Sequence, residues 1–161
     1  MKLANCKYNI LSFNAGAHSC SVTYIKKGVL VATLEEERLL RQKCFVDFEL
    51  NIERYPVECL HNLINRFGMD LNQIDYFVSF LEYEQTIPIF DYLDFKIPFE
   101  KFIKYDHHHS HAATSYYLSG FQEDTLVFNV DASGGNGYNS KMYLGSQGNL
   151  KYLDGNTNNR I

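Results

Sequence analysis

The chain closes on the pattern with which it opens, and that repetition limits its fold more than any single motif does. A strand from about Tyr8 to Phe13 breaks at the small-residue loop Asn14-Ala15-Gly16-Ala17-His18-Ser19. A second strand, Cys20 to Ile25, turns at Lys26-Lys27-Gly28 into a third, Val29 to Leu34. Near the other end, the run Leu126-Val127-Phe128-Asn129-Val130 stops at Asp131 and the loop Ala132-Ser133-Gly134-Gly135-Asn136-Gly137. Strands Ser140 to Gly145 and Leu150 to Leu153 follow, joined through Ser146-Gln147-Gly148-Asn149. Runs of β-formers around a short glycine turn read as hairpins. The repeat is one of pattern, without extended identity. Each copy sets a loop of small residues between two strands, where backbone N–H groups can approach phosphate oxygens closely.

Between the copies lie helical and strand signals. Val57, Leu60, Leu63, Ile64 and Phe67 form a 3.6-residue stripe, with Pro56 near its start and Gly68 at its stop. Ile74 to Phe80 reads as a buried strand. The aromatic, acidic and proline-containing stretch from Glu82 to Lys104 reads as a loop-rich excursion, and Ala112 to Leu118 as a helix that Ser119-Gly120 ends. The fold expected is α/β and duplicated, each lobe offering a loop to a shared cleft, as in actin-like and hexokinase-like ATPases. It is an actin-like (ASKHA, ribonuclease H-like) lobe with a mixed sheet over residues 1–124, and the first hairpin of a second lobe over 125–161. Because the second copy stops after its hairpin, the expectation is the N-terminal part of a longer protein.

Composition narrows the functional classes. With 45% hydrophobic and 15% aromatic residues among 161, the chain is globular rather than disordered. A formal charge of -4 and the lack of a basic stretch argue against nucleic acid as the main partner. No apolar run approaches the ~18 residues of a membrane span, and the N-terminus lacks the apolar core of a signal peptide. Cys6, Cys20, Cys44 and Cys59 are scattered without a CxxC pair, which reads as reduced thiols and a cytoplasmic location.

The densest chemical signal is Tyr105-Asp106-His107-His108-His109-Ser110-His111, which holds four of the six histidines. His107 and His111 stand at i and i+4, so a helix projects both imidazoles from one face. Asp131, at a strand end beside a glycine loop, is positioned to join them as a third ligand of a divalent metal. A surface histidine cluster without metal fits the same residues. His18, in the first small-residue loop, is by itself an ordinary loop histidine. Glu35-Glu36-Glu37-Arg38-Leu39-Leu40-Arg41-Gln42-Lys43 reads as a solvated helix start whose charges suit the helix dipole. Alternatively, it brings Arg41 and Lys43 to the cleft mouth, where they neutralise phosphate or an oxyanion.

Taken in order, Asn14-Ala15-Gly16-Ala17-His18-Ser19, Glu35-Glu36-Glu37-Arg38-x-x-Arg41-x-Lys43, His107-His108-x-x-His111-Ala112-Ala113 and Val130-Asp131 with its glycine loop resemble the carbamoyltransferase family. That family includes nodulation-factor and antibiotic O-carbamoyltransferases and is related to the tRNA threonylcarbamoyl-transfer proteins of the Kae1 type. The resemblance covers nearly the whole chain but only the first part of a member, whose Kae1-like domain is followed by a YrdC-like domain. It implies transfer of a carbamoyl group from carbamoyl phosphate, through a carbamoyl-adenylate made with ATP, to a hydroxyl or amine of a small-molecule acceptor.

By motif, His107, His111 and Asp131 would hold a divalent metal, Fe2+ first among candidates, against the nucleotide phosphates. Ser133, Gly134, Gly135, Asn136 and Gly137 would cradle those phosphates. His18 would be the general base and Lys43, with Arg41, would stabilise the carbamoyl oxygen or phosphate. Two positions depart from the family pattern: Ser19 stands where an Asp usually follows the histidine, and amides and glycines replace a carboxylate in the second loop. The alternatives are a Kae1-type tRNA-modifying protein and a non-catalytic metal- or nucleotide-binding or interaction module. Alone, this length of chain is expected to be inactive, and exposed apolar hairpin surface makes self-association as a homodimer an expectation.

Overall fold

Alternation along the first strand explains the first unit. In the computed structural model, which describes residues 6–15, 19–42, 55–121, 123–131 and 137–156, β1 (Ile10–Ala15) buries Leu11, Phe13 and Ala15 and leaves the residues between them half-buried. β2 (Cys20–Lys26) buries Cys20, Val22 and Tyr24 in the same rhythm. β3 (Val29–Glu35) completes an antiparallel meander. β4 (Tyr76–Ser79) and β5 (Phe102–Lys104) then add in parallel on the other side of β1, giving a five-stranded mixed sheet in the order β3-β2-β1-β4-β5. This unit comprises Met1–Lys104.

Among the described residues, three α-helices serve that sheet. The short α1 (Glu36–Leu40) follows β3, and α2 (Val57–Phe67) buries Cys59, Leu60 and Leu63 and packs Val57 and Ile64 against the core, whereas Phe67, the last residue of the expected stripe, is exposed in the final turn. Gly68 ends α2 with a φ of 63°, a left-handed value that glycine takes without a Cβ clash. The third helix corrects the sequence reading of Glu82 to Lys104 as loop-rich. Tyr83–Asp91 is helical (α3), a 3-10 turn spans Phe99–Lys101, and β5 follows. The side chain of Gln85 accepts the backbone N–H of Glu82 at 2.9 Å, which starts α3. Its buried residues Thr86, Ile89 and Phe90 stand at helical spacing, while Pro88 between them masks the period. Phe90 meets Phe13 and Phe77 edge-on, with centroids 5.2 and 5.5 Å apart, and so locks α3 to β1 and β4.

One residue of the acidic block joins α1 to α2. Glu36 is 2% exposed, and its two carboxylate oxygens accept the backbone N–H groups of Glu58 and Cys59 at 3.0 and 2.9 Å. A carboxylate from elsewhere in the chain therefore caps the α2 N-terminus, where N–H groups lack intrahelical partners. Burial, reinforced by this carboxylate, pushes the Cys59 thiol up from its ordinary value, so it stays protonated.

The second unit, Tyr105–Ile161, is smaller. α4 (His107–Ser119) lies on an antiparallel sheet of β6 (Thr125–Val130), β7 (Ser140–Ser146) and β8 (Asn149–Asn156), ordered β6-β7-β8. Its core is Ala112, Tyr116, Val127 and Tyr143, with Leu150 packed against them. The Tyr116 ring lies so close to Gly145 that a Cβ there would sit 2.4 Å from it. Lys27-Gly28 and Gln147-Gly148 turn the two hairpins with positive φ at both central residues, the type I′ form that matches strand twist. A register irregularity also recurs between the second and third strands of each copy, at Tyr24/Ile25 and at Met142/Tyr143. No helix among the described residues is long and apolar enough to cross a membrane.

Candidate metal centre

Two periodicities meet at one point in the second unit. On α4, His108, Ala112 and Tyr116 are the buried residues, four apart. His107 and His111 stand one position round from that stripe, at the edge of the helix–sheet contact. On β6 the residues facing inward are Val127 and Asn129, and the next inward position in the alternation is Asp131, just past the strand end. The backbone N–H of Asp131 donates to the carbonyl of Asn139 at 2.8 Å, which extends the pairing of β6 with β7 by one residue.

The side chains converge accordingly. His107 Nε2 is 2.6 Å from Asp131 Oδ2, His111 Nε2 is 3.6 Å from the same oxygen, and the two Nε2 atoms are 3.1 Å apart. Donors each ~2.1 Å from an ion and subtending 90–110° stand roughly 3.0–3.4 Å from one another, so these separations bracket what an ion needs. Two imidazoles and one carboxylate are borderline donors suited to a divalent transition metal, and three ligands on one side leave positions for water or phosphate oxygens. His107 and Asp131 have side chains 34% and 31% exposed, and His111 55%, so a ligand can reach the site from solvent.

Behind these residues is a buried polar layer whose role the sequence does not announce. Asp106, the N-cap of α4, accepts the N–H of His109 through Oδ1 at 2.9 Å and the ammonium of Lys141 through Oδ2 at 2.7 Å. Lys141 is 8% exposed and its Nζ lies 4.7 Å from the centre of the Tyr138 ring. Burial pushes the Asp106 carboxyl up, but hydrogen bonds from Lys141 and the His109 N–H outweigh it and leave it below its ordinary value. Burial, with the neighbouring Asp106 charge second, pushes the Tyr143 hydroxyl up to about 12. An aspartate just before a helix is a recognisable cap signal. Nothing in the sequence marks Lys141, which shares the inward register of Tyr143.

His18, Lys43, Ser133, Gly134, Gly135 and Asn136 lie outside the described residues. Gly137 is exposed with a φ of 77°. Arg41 ends α1 in the left-handed region, its N–H bonded to the carbonyl of Glu37, and its side chain is exposed on the first unit.

Comparison with known proteins defines the fold. No family model and no curated protein matches the sequence. Among solved structures, YeaZ from Pseudomonas aeruginosa superposes with a TM-score of 0.55 at 14% identity, over 91% of this chain and 65% of that one. Full-length HypF in its phosphate- and nucleotide-bound form gives 0.57 at 14%, over 94% of this chain and 19% of that one. The Ppx/GppA family member of Aquifex aeolicus gives 0.50 at 14%, over 93% and 51%. The chain thus has an α/β fold of actin-like type, with a five-stranded mixed sheet and a separate three-stranded sheet among the described residues. It spans less than two thirds of the YeaZ chain.

Proposed function

We propose that this chain is the front part of the Kae1-like domain of an ATP-dependent carbamoyltransferase, holding a divalent ion, ferrous iron first, at His107, His111 and Asp131. The observation that carries the reading is the meeting of these three donors at one point in an actin-like fold, where Asp131 is followed in sequence by a glycine-rich segment. The phosphate- and nucleotide-bound form of the structurally similar HypF supports phosphate and nucleotide as ligands of such a fold. When bound, the ion supplies charge neutralisation at phosphate oxygens. The two imidazoles keep the ligand set neutral apart from Asp131, so a bound ion retains net positive charge for a polyphosphate. His18 would take the proton of the acceptor hydroxyl or amine, while Arg41 and Lys43 would bind the anionic donor.

The test begins with the metal. Titration of the metal-free protein with Co2+ is expected to give visible absorption bands saturating at one equivalent. His107→Ala and Asp131→Ala should each weaken binding by at least about a hundredfold, since each removes a direct ligand. Binding of a non-hydrolysable ATP analogue should tighten when the ion is present. A wild-type protein that takes up no divalent ion, or takes it up equally well as the two variants, refutes the reading. Product analysis of the full-length parent with carbamoyl phosphate, ATP and acceptor hydroxyls and amines then separates carbamoyl transfer from a binding module.

A further inference from the structure

His108 lies between the two candidate ligands in sequence, yet it faces the opposite way. It is completely buried, in a unit whose core contains few large side chains. One ring nitrogen, Nε2, is 2.8 Å from the carbonyl oxygen of Tyr138. A carbonyl only accepts, so Nε2 carries the proton and Nδ1 is left as a lone-pair acceptor. That Nδ1 is buried and has no hydrogen-bond partner among the described residues. From the other side, Asn129 (8% exposed) donates its amide Nδ2 to the backbone carbonyl of His108 at 2.7 Å.

A buried imidazole with only one nitrogen satisfied gains little stability over an apolar side chain of similar size, since either leaves one buried polar atom without a partner. What it does supply is direction. The bond from Asn129 fixes the first turn of α4 against the inward face of β6, two residues before Asp131. The bond from His108 fixes the same turn to Tyr138, next to Asn139, whose carbonyl holds the Asp131 N–H. The turn bearing His107 is therefore tied to both segments that flank Asp131.

Resting on the metal reading given above, we propose that His108 and Asn129 are positioning residues, which set the distance between the histidine pair on α4 and Asp131 and so set metal affinity and geometry. Neither touches the ion. They act through the register of helix against strand, as partners behind metal ligands do elsewhere.

The test uses His108→Leu, His108→Gln, Asn129→Leu and the wild type. Gln at 108 keeps an N–H donor near the place of Nε2, whereas Leu does not. His108→Leu exchanges one unpartnered buried polar atom, Nδ1, for another, the Tyr138 carbonyl, so the urea midpoint should move little. Its Co2+ affinity should nevertheless fall about tenfold to a hundredfold with an altered visible spectrum. His108→Gln should restore affinity and spectrum, and Asn129→Leu should behave as His108→Leu does. Unchanged affinity and spectrum in both Leu variants would overturn the proposal. If the wild type binds no Co2+, the metal reading fails, and crystal structures of the variants then decide the positioning claim. A lost His107–Asp131 contact in His108→Leu, regained in His108→Gln, upholds it; an unchanged triangle of donors overturns it.

Discussion

Replacing Asp106 by alanine is expected to cost the second unit about 3–5 kcal/mol, enough to unfold a core of this size. The substitution strands Lys141, which is 8% exposed and 2.7 Å from the Asp106 carboxylate, as a buried and unpaired charge. It also deletes the N-cap of α4, itself worth about 1 kcal/mol. Lys141→Met in the same background removes the stranded charge and should recover most of the loss. Urea unfolding followed by amide exchange in α4 measures both variants, and a loss under about 1 kcal/mol for Asp106→Ala would show the pair to be dispensable. The pH dependence has a definite sign. The folded carboxyl titrates below its ordinary value of 3.8, so its contribution is complete above that value and disappears as pH falls through the folded one. Asp106→Asn, which does not titrate, should flatten this acid limb.

Glu36→Ala should have the second-largest effect, about 3 kcal/mol, on the first unit. It removes both acceptors from the N-terminus of α2, leaves the N–H groups of Glu58 and Cys59 without their partner, and opens space at a site only 2% exposed. Glu36→Gln retains one acceptor oxygen and should lose about half as much. Thermal unfolding with exchange at the Glu58 and Cys59 amides tests this; unaltered exchange in Glu36→Ala would show that Glu36 does not cap α2. Glu35 is different, because its ion pair with Arg38 is exposed and its removal should be nearly silent.

The contrast between these two glutamates shows where the sequence stops being legible. A charged block at a helix start reads as solvated, and nothing local reveals that Glu36 is turned inward toward a helix that begins twenty-odd residues later. The hairpins, α2 and the mixed sheet are legible, since each rests on local period and turn chemistry: alternation in β1 and β2, the stripe ending at Gly68, glycine at position 28 and again at 148. α3 is hidden because Pro88 and the acidic and aromatic residues around it obscure a three-residue buried stripe. The approach of His107, His111 and Asp131 follows from two periods read separately, one helical and one of strand alternation. The layer behind it does not. His108, Asn129 and Lys141 take their meaning from pairings across 21, 30 and 35 positions of chain, and side-chain identity alone cannot specify those.

The paired type I′ turns also bear on how quickly each part of the chain acquires its structure. With glycine at the second central position of each turn, 28 and 148, each hairpin closes over a two-residue loop, an event of about 1–10 μs. The parallel pairing of β1 with β4 joins Ile10 to Tyr76 and must wait for all the intervening chain to be gathered in. Folding should therefore begin from two distant and independent nuclei, and the slow step should belong to the first unit alone. During that interval β1 has only its β2 neighbour. Its other edge is then available for wrong partners, so crowding or overexpression should penalise this protein through the β1–β4 step rather than through either hairpin.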